Sequence, residues 1–207
     1  MPSHSAIILF GGSFNPPGIH HRTIAGNIPQ DGEQLVIVPG GYYKQKACWS
    51  DVSPPDRKKL VELGFAGLEN TEFDFYDLDR GVYTPTWELQ QRYAKQYPHA
   101  DIWHAVGPDL VVGGAMGKSE IQRLWHRGPE VWDRLQFLVL SLPDFTPPDG
   151  DLPPHARRRN IPILRGRSTE IRERIARGEP FGHLVLPEVY RYIAEHRLYG
   201  YQHLPVA

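Results

Sequence analysis

Short apolar runs alternate with longer stretches of mixed polarity along this 207-residue chain. Residues 6–10 form an unbroken apolar run stopped by Gly11-Gly12, and residues 35–38 another stopped by Pro39-Gly40-Gly41. Their length and flanks are those of buried strands. Residues 101–107, 135–142 and 161–164 predict three more strands, and the alternation over 73–78 a further one. Between them, helical spacing predicts a helix over 18–28 and a second over 56–68, where Leu60, Leu63 and Leu68 share a face. Thr84-Pro85 has the form of an N-cap followed by a first-turn proline, opening a helix to about Tyr97. Ser168 opens another, closed by Gly178, and a last one runs over 187–196. Strands alternating with helices predict an α/β fold: one Rossmann-like, doubly wound parallel sheet with helices on both faces, in a single domain spanning 1–207. In such sheets ligands sit beyond the carboxyl ends of the strands. Chemistry is therefore sought in the loops after Phe10, Val38, Gly107 and Leu164. The proline-rich residues 143–160, which end near Arg157-Arg158-Arg159, read as a long loop within the domain.

Composition narrows the picture. A net charge of −1 gives no global attraction to nucleic acid or acidic membranes, although 17 arginines against 6 lysines favour fork-like recognition of phosphate or carboxylate. No apolar run approaches the ~20 residues of a membrane span, and residues 1–4 lack the form of a signal peptide. Cys48 is the single cysteine, so no intrachain disulfide forms and the cytoplasm is the expected compartment.

Two segments carry candidate chemistry. In Gly11-Gly12-Ser13-Phe14-Asn15-Pro16-Pro17-Gly18-Ile19-His20-His21 a strand runs into two glycines, a proline-rich turn and two histidines at a helix start. Such glycines let backbone approach a phosphate, and free N–H groups at a helix start favour anions; the same pattern also suits a tight turn with surface histidines. In Arg165-Gly166-Arg167-Ser168-Thr169-Glu170-Ile171-Arg172, Ser168 or Thr169 is placed to cap a helix, and Arg172 one turn on leans back toward the same anion or pairs with a nearby glutamate.

Together these segments resemble the nucleotidylyltransferases whose first motif is Gly-Gly-Ser/Thr-Phe-Asp/Asn-Pro followed by His-x-Gly-His, and whose last is Ile-Ser-x-Thr-x-Ile-Arg. Within that superfamily the chain is most similar to the bacterial nicotinate-mononucleotide adenylyltransferases, over nearly its whole length. Pro39-Gly40-Gly41 stands at that family's turn lining the acceptor nucleotide, Tyr83-Thr84 matches a Tyr-Thr pair, Gly107-Pro108-Asp109 a Gly-x-Asp, and Trp125 a tryptophan beside the pyridine ring. The resemblance implies adenylyl transfer from ATP to nicotinate (or nicotinamide) mononucleotide, with Mg²⁺ arriving on ATP. It implies that Gly11, Gly12, Ser13 and Phe14 present backbone to the α-phosphate. His21 and Arg172 would be catalytic, with His20, Gly107, Asp109, Arg167, Ser168 and Thr169 also on ATP. Gly40, Gly41, Lys46, Thr84 and Trp125 would serve the acceptor, though Trp125 also suits a core position.

The chain departs from that pattern at three places. Gly18 stands where the first histidine belongs and His20 where the glycine does; Tyr43-Lys44-Gln45-Lys46 keeps only a terminal cation; Arg167 replaces the first serine of the last motif. The expected consequence is a locally altered helix entry, with His20 or one of Lys44, Lys46 and Arg167 turned to the triphosphate. A transferase with another phosphate acceptor, and a non-catalytic nucleotide-binding or regulatory homologue, fit the same motifs. A nucleic-acid-binding module would rest on Arg157-Arg158-Arg159 without an aromatic stacking platform. A homo-oligomer is compatible with all of these. Gly113-Gly114-Ala115-Met116-Gly117-Lys118-Ser119 imitates a P-loop, but Val112 stands where its first glycine belongs, so a flexible loop is expected. Adjacent histidines and a lone cysteine give no zinc pattern, and Asp144, Asp149 and Asp151 read as solvating charges.

Overall fold

Six strands form one sheet in the computed structural model, which describes residues 6–41, 52–162 and 166–202. They are β1 (Ala6–Gly12), β2 (Glu33–Pro39), β3 (Thr71–Phe73), β4 (Asp101–Val106), β5 (Gln136–Ser141) and β6 (Ala156–Asn160). Every pairing is parallel and the order is β3-β2-β1-β4-β5-β6. The chain therefore winds outward in both directions from β1 and β4, and the order reverses between them, where the loops part and leave a crevice. Phe10 is level with Ile37 and Ala105, so β1, β2 and β4 end together at that crevice. The expected fold class is what the structure has.

The central strands are apolar on both faces because helices cover both. Ile8, Phe10, Leu35, Ile37 and Ala105 pack with Ala25 and Ile28, at the end of α1 (Ile19–Asn27), and with Val61 and Phe65, at that of α2 (Pro54–Gly64). On the other face Ile7, Leu9, Val36 and Ile102 meet Leu89 and Tyr93 of α4 (Thr86–Gln96), which follows the short α3 (Tyr76–Arg80). Val106, Phe137 and Val139 meet Ile121 of α5 (Glu120–Leu124) and Val131 and Trp132 of α6 (Gly128–Arg134). A further cluster joins Leu60 to α7 (Ser168–Ala176) and α8 (Pro187–Glu195) through Ile171, Ile175, Val189 and Ile193. Among the described residues, no helix is long and apolar enough to cross a membrane.

Several boundaries differ from the sequence expectation, each for a local reason. α2 starts earlier, with both prolines in its first turn and the Ser53 hydroxyl accepting from the Asp56 N–H, and it ends at Gly64. The expected strand over 73–78 divides: β3 stops at Phe73, and Tyr76–Arg80 is helical, closed by Gly81 in the left-handed region. Thr84 does not cap α4. Its N–H and hydroxyl both donate to Asp77, at 2.8 and 2.5 Å, and Pro85 takes the cap position.

The sixth described strand is the arginine run over 156–160 rather than a loop; of the strand expected over 161–164, Ile161 and Pro162 lie outside any strand and 163–164 lie outside the described residues. Arg157 lies 4.3 Å over the Trp103 ring, Arg158 donates to Pro147 O and pairs with Asp149, and Arg159 pairs with Glu33 at 3.0 Å. Apolar arginine stems cover the sheet while each guanidinium finds its own partner, so the run is no free basic patch. Of the aspartates read as solvating charges, Asp149 is exposed and makes a surface ion pair with Arg158, whereas Asp151 is structural. Asp151 accepts from the N–H groups of Gly113 and Ala115 at 3.0 and 3.1 Å. The glycine loop that imitates a P-loop thus closes its backbone donors on the protein's own carboxylate.

Asp151→Ala leaves those two N–H groups without their acceptor and is expected to lower stability by about 1–3 kcal/mol in denaturant titrations. Asp151→Asn, which keeps an acceptor oxygen, should cost less. Equal stability of all three proteins would show that the carboxylate does not hold this loop.

Candidate active site

The loop after β1 is fixed from behind by its own carbonyl groups. Gly12 O accepts from Gly40 N at 2.9 Å, Ser13 O from Arg57 at 2.7 Å, Asn15 O from Arg172 at 2.6 Å and Pro16 O from the Ser168 hydroxyl at 2.9 Å. A trans peptide sets N–H opposite C=O, so the first two bonds turn the N–H groups of Ser13 and Phe14 the other way. Gly11 faces open space. Phe14 takes a positive φ of 42° and sends its ring into the core, edge-on to Phe10 and Phe65 and to His21. That ring lies where a side chain on Gly12 would be, with its atoms 2.7 Å from a Cβ there. Phe14 thus contributes its side chain to packing and can offer only its backbone to a ligand.

Helix α1 starts regularly at Ile19, with Gly18 extended at φ −100° and ψ 170°. The expected distortion of this entry is not present, because an N-cap residue is non-helical in any case. His20 instead folds its ring back onto Gly18: a Cβ at position 18 would stand 2.6 Å from the His20 ring, and one at Gly166 would stand equally close. Two glycines from separate loops make room for one imidazole. His21 accepts the Gly18 N–H on Nδ1 at 3.0 Å, which leaves its Nε2 as the protonated nitrogen of the neutral ring. The two rings are 3.8 Å apart between centroids. Burial lowers His20 to about 4, against a smaller upward pull from Glu170; burial, and then the neighbouring His20, lowers His21 to about 3. Both are therefore neutral donors at physiological pH.

α7 begins opposite α1. Neither Ser168 nor Thr169 caps it: Arg167 occupies the cap position without a side-chain bond, and Ser168 spends its hydroxyl on Pro16. The Arg172 guanidinium spans Asn15 O and the Thr169 hydroxyl, the latter at 3.2 Å. Two helix N-termini thus converge on the end of β1, a concentration of positive partial charge in a chain of net charge −1. On the other side of the crevice, Pro108–Leu110 forms a turn after β4, and exposed Asp109 folds Oδ1 back over Gly107.

Gly40 joins this centre, since its carbonyl accepts from Arg57 at 2.9 Å; Gly41 is pressed against the backbone of Asp77 and Val82. Thr84 is committed to Asp77, and Trp125 is half-buried with its ring 6.5 Å from Phe137, on the sheet face covered by α5 and α6. Lys44 and Lys46 lie outside the described residues. Sequence reasoning missed Arg57 and Tyr199, and gave Asn15, inside the first motif, no role of its own. Arg57 is buried on α2 and holds the loops after β1 and β2 together, while the Tyr199 hydroxyl donates to Asn15 Oδ1 at 2.5 Å. One cavity of about 210 Å³, beside Gln90, Asp101 and Arg134, lies at the opposite edge of the sheet; another of about 630 Å³ lies between α2 and α3, where Lys58 is already paired with Asp79.

No family model matches the chain. Over 198 residues it is 30% identical to a Kineococcus radiotolerans protein named "Probable nicotinate-nucleotide adenylyltransferase", covering 91% of this chain and 88% of the relative. The chain belongs to the nicotinate-nucleotide adenylyltransferase family. A Listeria monocytogenes serotype 4b protein of the same name is 25% identical over 195 residues, 93% of this chain and 96% of that one. Among solved structures, Plasmodium falciparum nicotinic acid mononucleotide adenylyltransferase complexed with NaAD superposes with a TM-score of 0.77 at 18% identity, over 96% of this chain and 99% of that one. At that identity the likeness is one of fold. Family membership makes the chain an enzyme of the nucleotidyltransferase superfamily.

The histidines carry a pH prediction. His104, buried on β4 and bonded to Gln90 at 2.8 Å, is also lowered by burial to about 4. Unfolded histidine titrates near 6.5, so between that value and 4 the unfolded chain binds more protons than the folded one. Stability is expected to be intact above pH 6.5 and to fall progressively toward pH 4. Urea titrations between pH 7.5 and 4 check this; a midpoint constant down to pH 5 would contradict neutral burial of the three rings.

Proposed function

We propose that the chain transfers the adenylyl group of ATP to the phosphate of nicotinate (or nicotinamide) mononucleotide, releasing pyrophosphate and forming the dinucleotide, in the cytoplasm as a step of NAD biosynthesis. The observation that supports this most is the convergence at the β1–β4 crevice of two helix N-termini, Arg172 and a neutral histidine pair, each held by a named contact. Such a centre suits a polyanion.

The reaction asks little covalent chemistry of the protein. An oxygen of the acceptor phosphate, already ionised near neutral pH, bonds to the α-phosphorus of ATP, and the α–β bridging bond breaks with its electrons leaving on pyrophosphate. Alignment and charge stabilisation supply the acceleration. The N–H groups of Ser13 and Phe14, beside Gly11 and Gly12, face the α-phosphate. His21 donates from Nε2 as charge grows there. Arg172, with Thr169 and the first turn of α7 from Ser168, takes the β- and γ-phosphates, and exposed Arg167 borders them. Asp109, over Gly107, accepts from the ribose hydroxyls.

His20, seated between Gly18 and Gly166, serves as the second imidazole in place of a side chain at position 18. Gly40 and Gly41 line the acceptor side with Thr84, and the uncovered part of Trp125 faces the pyridine ring. Mg²⁺ would arrive carried by the triphosphate itself. That ion supplies charge neutralisation on the phosphates.

Pyrophosphate release from ATP and Mg²⁺, measured across nicotinate mononucleotide, nicotinamide mononucleotide and phosphopantetheine, is expected to be fastest with a pyridine mononucleotide. ATP binding without release on any of them would favour a non-catalytic homologue. His21→Ala should lower turnover about 10²–10³-fold with a smaller effect on ATP affinity. Arg172→Ala should weaken ATP more than AMP; equal losses would remove it from the β- and γ-phosphates. His20→Ala should be damaging and Gly18→His alone of no benefit, whereas Gly18→His with His20→Gly moves the imidazole to the other side of the same seat and should recover activity. A silent His20→Ala would end this role.

A further inference from the structure

The turn after α8 is backbone-strained at residues that are not glycine. Arg197 and Tyr199 take φ values of 49° and 58°, a region L side chains adopt rarely, before Gly200 at 75°. Such conformations persist where the surroundings over-determine them, and they gather at functional sites. Leu198 anchors the turn in the cluster beneath α7 and α8, and the Tyr199 side chain, half-buried, ends on Asn15 Oδ1. Asn15 is itself only 2% exposed. Burial raises the phenol well above its ordinary value, while Arg57 and Arg172 act on it in the opposite direction, so a neutral hydroxyl stands within electrostatic reach of two guanidiniums.

We propose that Tyr199 is a positioning residue for Arg172: its hydroxyl locks the Asn15 side chain, and Asn15 then holds the Arg172 guanidinium on its backbone carbonyl. The selectivity of the site for a triphosphate is thereby set partly from a turn that touches no substrate. Only one atom needs to be lost to break the chain of contacts. Without the hydroxyl, Asn15 keeps a buried oxygen with no donor, the loop carbonyl is free to shift, and Arg172 shares its remaining arm with Thr169 alone. This inference rests on the adenylyl-transfer reading in one respect, that phosphates of ATP bind at the start of α7.

Calorimetric binding of ATP and AMP to full-length variants tests it. Tyr199→Phe is expected to weaken ATP about three- to tenfold with AMP unchanged, and to lower Tm by about 2–4 °C. Asn15→Ala, which removes the same contact from its other end and keeps the backbone carbonyl, should do the same and carries the test if the first variant folds poorly. In an Arg172→Ala background neither change should weaken ATP further, although each should still lower Tm. Additive losses of ATP affinity, or equal losses for ATP and AMP, would make the contact merely structural and overturn the inference. Unaltered ATP affinity in Tyr199→Phe would overturn it while leaving the functional reading intact. Failure of the wild-type chain to bind ATP would overturn both.

Discussion

A seam between the loop leaving β1 and the first turn of α7, more than 150 residues apart, governs everything at the open end of the sheet. An irregular loop beside a buried core carries carbonyl groups that need donors. Here the donors are the Ser168 hydroxyl, two arginines and the Gly40 N–H, all on one side. The same bonds draw the N-termini of α1 and α7 together, an arrangement that is electrostatically unfavourable until something negative lies between them. Glu170 does not neutralise it fully, because Arg174 pairs with that carboxylate from one turn further on. The fold thus holds two like-signed helix ends in place by hydrogen bonds, with the sheet as the rigid base.

The core supplies the other half of the constraint. Phe14 could not hold its positive φ as an exposed residue; complete burial of its ring among Phe10, Phe65 and the edge of His21 contributes about 1.5–3 kcal/mol and makes that backbone conformation the favourable one. His21 is consequently fixed twice, by the Phe14 ring and by the Gly18 N–H, and its tautomer with it. Packing, loop shape and protonation state are one problem at this position. A change to Gly12 would act on all three, since the ring has nowhere else to go.

Much of the sheet was readable from the chain because β1, β2, β4 and β5 are apolar on both faces and end in glycine, proline or polar residues. β6 was not, because its burial is done by arginine stems whose charges are matched individually: by a tryptophan face, by Asp149 and by Glu33. A hydrophobicity pattern does not register such a strand. α3 was hidden for a different reason, since Gly81 in the left-handed region closes a single turn whose residues alternate like a strand. At the site, the two glycine- and arginine-bearing segments were legible as local motifs. Arg57, Tyr199 and the contact that Asn15 makes were not, because each depends on a partner 17 to 184 positions away. Asp151 shows the converse. The glycine loop that imitates a P-loop reads as flexible only while its own carboxylate, 36 residues on, is out of view.

The histidine pair and the arginines divide the electrostatic work in a way that their types alone do not reveal. Rings 3.8 Å apart and shielded from water cannot both carry a proton, and burial keeps each neutral well below pH 6. Permanent charge therefore comes from guanidiniums, which stay ionised in any environment, and from helix ends, which do not titrate. The imidazoles contribute direction: His21 has one nitrogen committed as acceptor and the other aimed as donor. On the proposed reading this separation matters for turnover. A site of fixed positive charge alone would bind the triphosphate ground state and the pyrophosphate product about equally, whereas a neutral N–H placed where charge grows gains most at the transition state. The Gly18–His20 exchange then carries little penalty, because what the site requires at that seat is an imidazole donor in one volume, and the backbone position that supplies it is secondary.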